Sequence, residues 1–109
     1  MRLLIGCLAF ASLWAQTPTD WLNRGVAAFR SAQYPEAVTD FQNALNMDPS
    51  SLSARLYLAT AYMQQYISGA DTPENRETAV NAEDNFLKVL TQDPSNRVAM
   101  NSIASLNLN

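Results

Sequence analysis

Shifted by 45 residues, the chain lies over itself: AVTDFQNALNMDPS (37–50) aligns with AEDNFLKVLTQDPS (82–95). Six of the 14 positions are identical, namely Ala37/Ala82, Phe41/Phe86, Leu45/Leu90, Asp48/Asp93, Pro49/Pro94 and Ser50/Ser95. An internal repeat constrains the fold more than any single motif, because each copy must bury its apolar face against its neighbours. Ala37, Phe41 and Leu45 recur every four residues, as do Ala82, Phe86 and Leu90, so each trio forms one stripe of a helix. Both stripes stop at Asp-Pro. Proline cannot continue a helix, and it disfavours helical geometry in the residue before it.

A second amphipathic segment precedes each stripe. WLNRGVAAFRSA (21–32) carries Trp21, Gly25, Ala28, Phe29 and Ala32 on one face, and LSARLYLATAYMQQY (52–66) carries Leu58, Ala59, Tyr62, Met63 and Tyr66. Pro35-Glu36 opens the helix after the first segment, with proline where its missing N–H costs nothing. The second segment is followed by a glycine stop and a new start: Thr72 as N-cap, Pro73 in the first turn and Glu74 beside the positive helix end. After Pro94, NRVAMNSIASLNL reads as a short closing helix with Ala99, Met100, Ile103 and Ala104 on its apolar face. The expected fold class is all-α: two antiparallel helix hairpins and a C-terminal helix, five helices without a strand.

These residues resemble the tetratricopeptide repeat (TPR) family, whose 34-residue unit reads Trp-x2-Leu-Gly-x2-Tyr, then Ala-x3-Phe, then Pro. Trp21, Gly25, Ala37, Phe41 and Pro49 fall in register in the first unit; Leu58, Ala59, Tyr62, Ala82, Phe86 and Pro94 do so in the second. Met100, Ile103 and Ala104 begin a third copy that is cut short. The resemblance spans roughly 18–108, with repeats at about 18–51 and 52–96 and a closing helix at about 96–108. Departures are Arg24 and Ala28 in the first unit, Arg55 and Val89 in the second, and Asn107 in the third. The resemblance implies an α-solenoid in which Gly25, Ala59 and Ala104 lie at close helix approaches, faced by Ala37 and Ala82. All of these signature residues read as core.

The second unit is longer by the 11 residues YISGADTPENR, inserted between its two helices. Some exported bacterial TPR proteins have a similar elongated hairpin. If the following helix runs from Pro73 to Leu90 it is about 27 Å long. The insertion is either a decorated loop or a binding or dimerisation element.

Composition removes most chemistry. The 109 residues, 48% apolar and 16% charged, suit one small folded domain rather than a disordered tail. The net charge is −3 with no Lys/Arg cluster, so no nucleic-acid partner is expected. There is no histidine, and Cys7 is the sole cysteine, which leaves no expected metal, cofactor or disulfide. Asp71, Glu74, Glu77, Glu83 and Asp84 form the densest acidic stretch and read as a solvated face. With no phosphate loop or serine elbow either, the chain is not expected to be an enzyme.

The N-terminus MRLLIGCLAFASLWA reads as an export signal: Arg2, an apolar run from Leu3 to Leu13, and a small residue, Ala15, at the exit. Cleavage after Ala11 fits the small-residue rule better but leaves too short an apolar core. The run is about half the ~20 residues a membrane span needs, so no stable span is expected. Leu4-Ile5-Gly6-Cys7 resembles a lipoprotein box, but only six residues precede the cysteine, which favours export without a lipid. Residues 1–15 are thus expected to be a signal peptide and 18–109 a TPR-like domain, in the periplasm or cell envelope of a bacterium.

Function then rests on binding. In TPR proteins the first helix of each unit lines a groove, and the resemblance places Asn23, Arg30, Tyr57, Thr60 and Gln64 there as candidate partner contacts. Leu22, Val26 and Tyr57 occupy places where chaperone-binding members carry a carboxylate clamp, so that clamp is absent. A mixed polar and apolar groove suits an extended or helical peptide. Tyr57 either presents its ring to the ligand or packs between neighbouring helices. Two functions follow: an exported adaptor that binds a protein or peptide partner, or a self-associating structural subunit, as a homodimer or larger envelope assembly.

Overall fold

A computed structural model describes residues 16–106, so the expected export signal and Asn107 lie outside the described residues. Thr17 begins the first helix through a reciprocal cap. Its hydroxyl accepts from the Asp20 N–H at 3.1 Å, and the Asp20 carboxylate accepts from the Thr17 N–H at 2.9 Å. With Pro18 in the first turn, three features fix the start of α1 (Pro18–Arg30). The helix ends in a Schellman turn, in which the Gln33 N–H donates to Ala28 O and the Ala32 N–H to Phe29 O. Ala32 occupies the left-handed position at φ 60°, where glycine is the usual residue and an alanine costs about 1 kcal/mol.

Helix α2 (Tyr34–Met47) and helix α3 (Leu52–Gln65) are joined by Asp48-Pro49-Ser50-Ser51. Helix α4 (Pro73–Gln92) and helix α5 (Arg97–Leu106) are joined by Asp93-Pro94-Ser95-Asn96. The two turns share their principal bonds. Asp48 and Asp93 both sit in extended, pre-proline geometry, with φ −137° and −134° and ψ 86° in each. Each accepts from the serine hydroxyl two residues on. Ser51 then caps α3 by accepting from the Ala54 N–H, and Asn96 caps α5 by accepting from the Ala99 N–H. The 45-residue repeat is therefore a repeat of hydrogen bonds as well as letters.

Packing follows chain order: α1 lies on α2, α2 on α3, α3 on α4, and α4 on α5, with a lighter contact between α1 and α3. That nearest-neighbour pattern is a solenoid's. One core cluster contains buried Ala37, Phe41, Ala44 and Leu45 of α2 with Ala54, Leu58 and Ala61 of α3, flanked by Trp21 and other half-buried residues of α1. The other contains Ala59 of α3, Ala82, Phe86 and Val89 of α4, and Ala99 and Leu106 of α5. Tyr62 touches both clusters, so α3 is the shared wall. Gly25 is buried directly under Phe41: a Cβ built on it would lie 2.6 Å from the Phe41 Cδ1. Of the signature residues expected in the core, Pro49 and Pro94 are instead exposed, because they sit in the turns between helices, and Trp21 and Tyr62 are half-buried. Phe41, Leu58, Phe86 and all the signature small residues but one are core.

That exception is Ala104, which is exposed, as is Met100. Among the described residues no helix packs over that face of α5, so the third copy's small residue lacks the covering helix that buries Gly25 and Ala59. Leu106 and Ala99 anchor α5 instead.

Helix α4 is 20 residues, two longer at its C-terminus than the sequence implied. Thr72 caps it by accepting from the Asn75 N–H at 3.1 Å, with Pro73 in the first turn, as expected. The inserted segment is tied down by a residue the sequence did not single out. Asn75, 8% exposed, accepts from the Ile67 N–H at 2.8 Å and donates to Ile67 O and Ala70 O at 2.7 and 2.8 Å. Gly69, at φ 84°, closes the turn these carbonyls flank. Asn75→Ala is expected to cost about 1–3 kcal/mol by leaving buried backbone groups unpaired. Hydrogen exchange should then show Ile67 losing protection. An unchanged unfolding midpoint would mean the insertion carries no structural weight.

Candidate functional site

The first helices α1, α3 and α5 project side chains into a common pocket of about 260 Å³. It is lined by Phe29, Ser53, Leu56, Tyr57, Thr60 and Val98. Residues 53, 56, 57 and 60 of α3 follow helical three- and four-residue spacing, which puts them on one side. The opposite side of α3 carries the buried Leu58.

Tyr57 is both exposed and built in. Its ring stacks on Phe41 at 5.3 Å and 19°, and meets Phe29 edge-on at 6.0 Å. Phe29 in turn lies edge-on to Tyr34 at 5.3 Å. These contacts answer the choice the sequence left open in favour of packing, yet 36% of Tyr57 remains exposed at the pocket. A ring already immobilised loses little further entropy on contact with a ligand. The Thr60 hydroxyl donates to Leu56 O at 2.8 Å, so it presents its acceptor lone pairs outward.

The other three candidates are not brought together there. Asn23, Arg30 and Gln64 are exposed, and none lines the pocket. Arg30 stands in the last turn of α1, where a cation favours the negative helix end. The residues that line the pocket beside Tyr57 and Thr60, namely Phe29, Ser53, Leu56 and Val98, likewise stand on the first helices of their units. What the sequence could not rank was which of those positions share a concavity.

The acidic stretch behaves as a solvated surface. Asp71 pairs with Arg76, and Asp84 with Lys88 at 3.8 Å, both pairs well exposed. Such pairs contribute little. Among the described residues no three His, Cys, Asp or Glu side chains are placed to hold a metal ion, and no helix is long and apolar enough to cross a membrane. The departure at Arg24 has a local role: its guanidinium lies 4.8 Å from the Trp21 ring centroid, a cation–π contact.

Residues 18–51 match the family model of the tetratricopeptide repeat. That span covers α1, α2 and the Asp-Pro turn, the unit whose hydrogen bonds recur 45 residues later. No curated protein and no solved structure matches the chain. The repeat marks a protein–protein interaction module of a typically non-catalytic kind. By this match residues 18–51 form a tetratricopeptide repeat, and the all-α helices packed in order around it are consistent with further repeats of that kind.

Proposed function

We propose that the protein is an exported, non-catalytic adaptor whose α1–α3–α5 pocket holds a protein or peptide partner. The observation that carries this reading is the fixed, part-exposed Tyr57 beside Leu56, Thr60 and Val98 in one pocket. Apolar walls with a few polar atoms suit a peptide that inserts an apolar side chain and hydrogen-bonds at the rim. The N-terminal apolar run supports placement in the periplasm or cell envelope. Asn23, Arg30 and Gln64 would serve a longer ligand only beyond the pocket, since none lines it.

A second reading has its own support. The exposed Met100 and Ala104 of α5 would suit self-association in a structural assembly. Solution mass separates it: self-association predicts a concentration-dependent mass that Met100→Asp abolishes, whereas a monomer at all concentrations removes it.

The adaptor is tested by photo-crosslinking from inside and outside the pocket. A photoreactive group at Ser53 should capture one discrete partner, and the same group at Val80, on the exposed side of α4, should not. Thr60→Arg should abolish that capture with an unchanged melt. Equal capture from both positions, or full capture by the folded Thr60→Arg protein, would refute the pocket.

A further inference from the structure

On the other side of α3 lies a larger cleft of about 450 Å³, bounded by α2, α3 and α4. Its floor is Leu45 and Leu58, both nearly fully buried. Its polar lining is Arg55, Tyr62 and Asn85, with the amides of Gln42 and Asn46 at the rim. Arg55 occupies the position held by Trp21 in the first repeat, so a cation stands where the register calls for an apolar ring. The residue is half-buried and engages no carboxylate among the described residues.

Its bonds leave the fork unsaturated. One Nη donates to the Asn85 Oδ1 at 3.2 Å and the other to Pro49 O at 3.4 Å. A guanidinium has five N–H donors, so three remain. Asn85, 9% exposed, is itself pinned, because its Nδ2 donates to Asn81 O at 2.8 Å. Gln42 Nε2 donates to the Tyr62 hydroxyl at 3.0 Å, which leaves the phenolic proton free to donate. Burial, outweighing the Gln42 hydrogen bond, raises the Tyr62 pKa, so that proton stays in place.

We propose that this cleft binds a carboxylate, with Arg55 as the forked donor and the Tyr62 hydroxyl as a second donor. A planar carboxylate matches the guanidinium fork, and its charge offsets that of a partly desolvated cation. The lining holds a single cation and otherwise neutral groups, which fits a monoanion better than a phosphate dianion. Glu77 on α4, whose charge reaches Tyr62, adds a further bias against high anionic charge. The site faces away from the α1–α3–α5 pocket and stands independently of the adaptor reading.

The test is an NMR titration of the full chain with N-acetylglycine, N-acetylglycinamide and acetate, reading the Arg55 Nε–H and the Asn85 side-chain amide. N-acetylglycine should give saturable shifts with a dissociation constant on the order of 1 mM, and the uncharged amide should give none. Several-fold tighter binding of N-acetylglycine than acetate identifies a peptide C-terminus as the source. Equal binding identifies a free small carboxylate. Arg55→Gln should abolish the shifts, Arg97→Gln should leave them, and Glu77→Gln should tighten binding. No saturable shift with either acid, equal shifts with the amide, or binding retained by folded Arg55→Gln would overturn the proposal. The acid-against-amide comparison needs no variant, so a folding defect in Arg55→Gln leaves the test decisive.

Discussion

The Phe41 ring lying against the backbone of Gly25 sets the spacing of the first hairpin, and much of the rest follows from it. Because residue 25 has no side chain, α1 and α2 approach closely enough to seal Phe41 completely. Burying such a ring contributes about 2–3 kcal/mol. A glycine inside a helix costs up to about 1 kcal/mol relative to alanine. The helix therefore carries a local penalty that close packing outweighs. In the second hairpin the equivalent residues are Ala59 and Phe86, both fully buried, so one more methyl is accommodated there.

The central helix converts two hairpins into one body. Ala54, Leu58 and Ala61 of α3 face the first cluster, while Ala59 faces the second. Its remaining face carries the pocket residues Leu56, Tyr57 and Thr60. The proposed binding surface is thus the outer side of the most internally committed helix. Tyr57 makes the link explicit, because the ring stacked on Phe41 is the ring presented at the pocket. Substitutions there will mix stability with recognition, which is why Ser53 and Thr60 are better probes.

The hairpins were legible because their signals are local and redundant: the Ala-x3-Phe stripes, the Asp-Pro stops, and Thr72-Pro73 as a helix start. The bonds made by Asp48 and Asp93 explain why those turns repeat so well. What escaped the sequence was non-local. Asn75 lies in an acidic, polar stretch, and nothing in its spacing reveals that it is buried beneath the loop it holds. Ala104 matches the pattern of a core position, but a pattern cannot say whether a covering helix follows. Arg55 was visible as a departure from the repeat, whereas its cleft depends on three helices meeting. Among the groove candidates, Tyr57 and Thr60 share the pocket and Asn23, Arg30 and Gln64 do not, a distinction that helical phase alone does not make.

The most direct measurement of the central contact is a double-mutant cycle on Gly25→Ala and Phe41→Leu, followed by chemical unfolding. With Phe41 in place, Gly25→Ala should destabilise by about 1–3 kcal/mol through overpacking, despite its better helix propensity. In the Phe41→Leu background the same change should become neutral or stabilise by up to about 1 kcal/mol, as propensity alone dictates. Effects that add to within about 0.5 kcal/mol would contradict the account, because they would mean the ring and the glycine do not set each other's position.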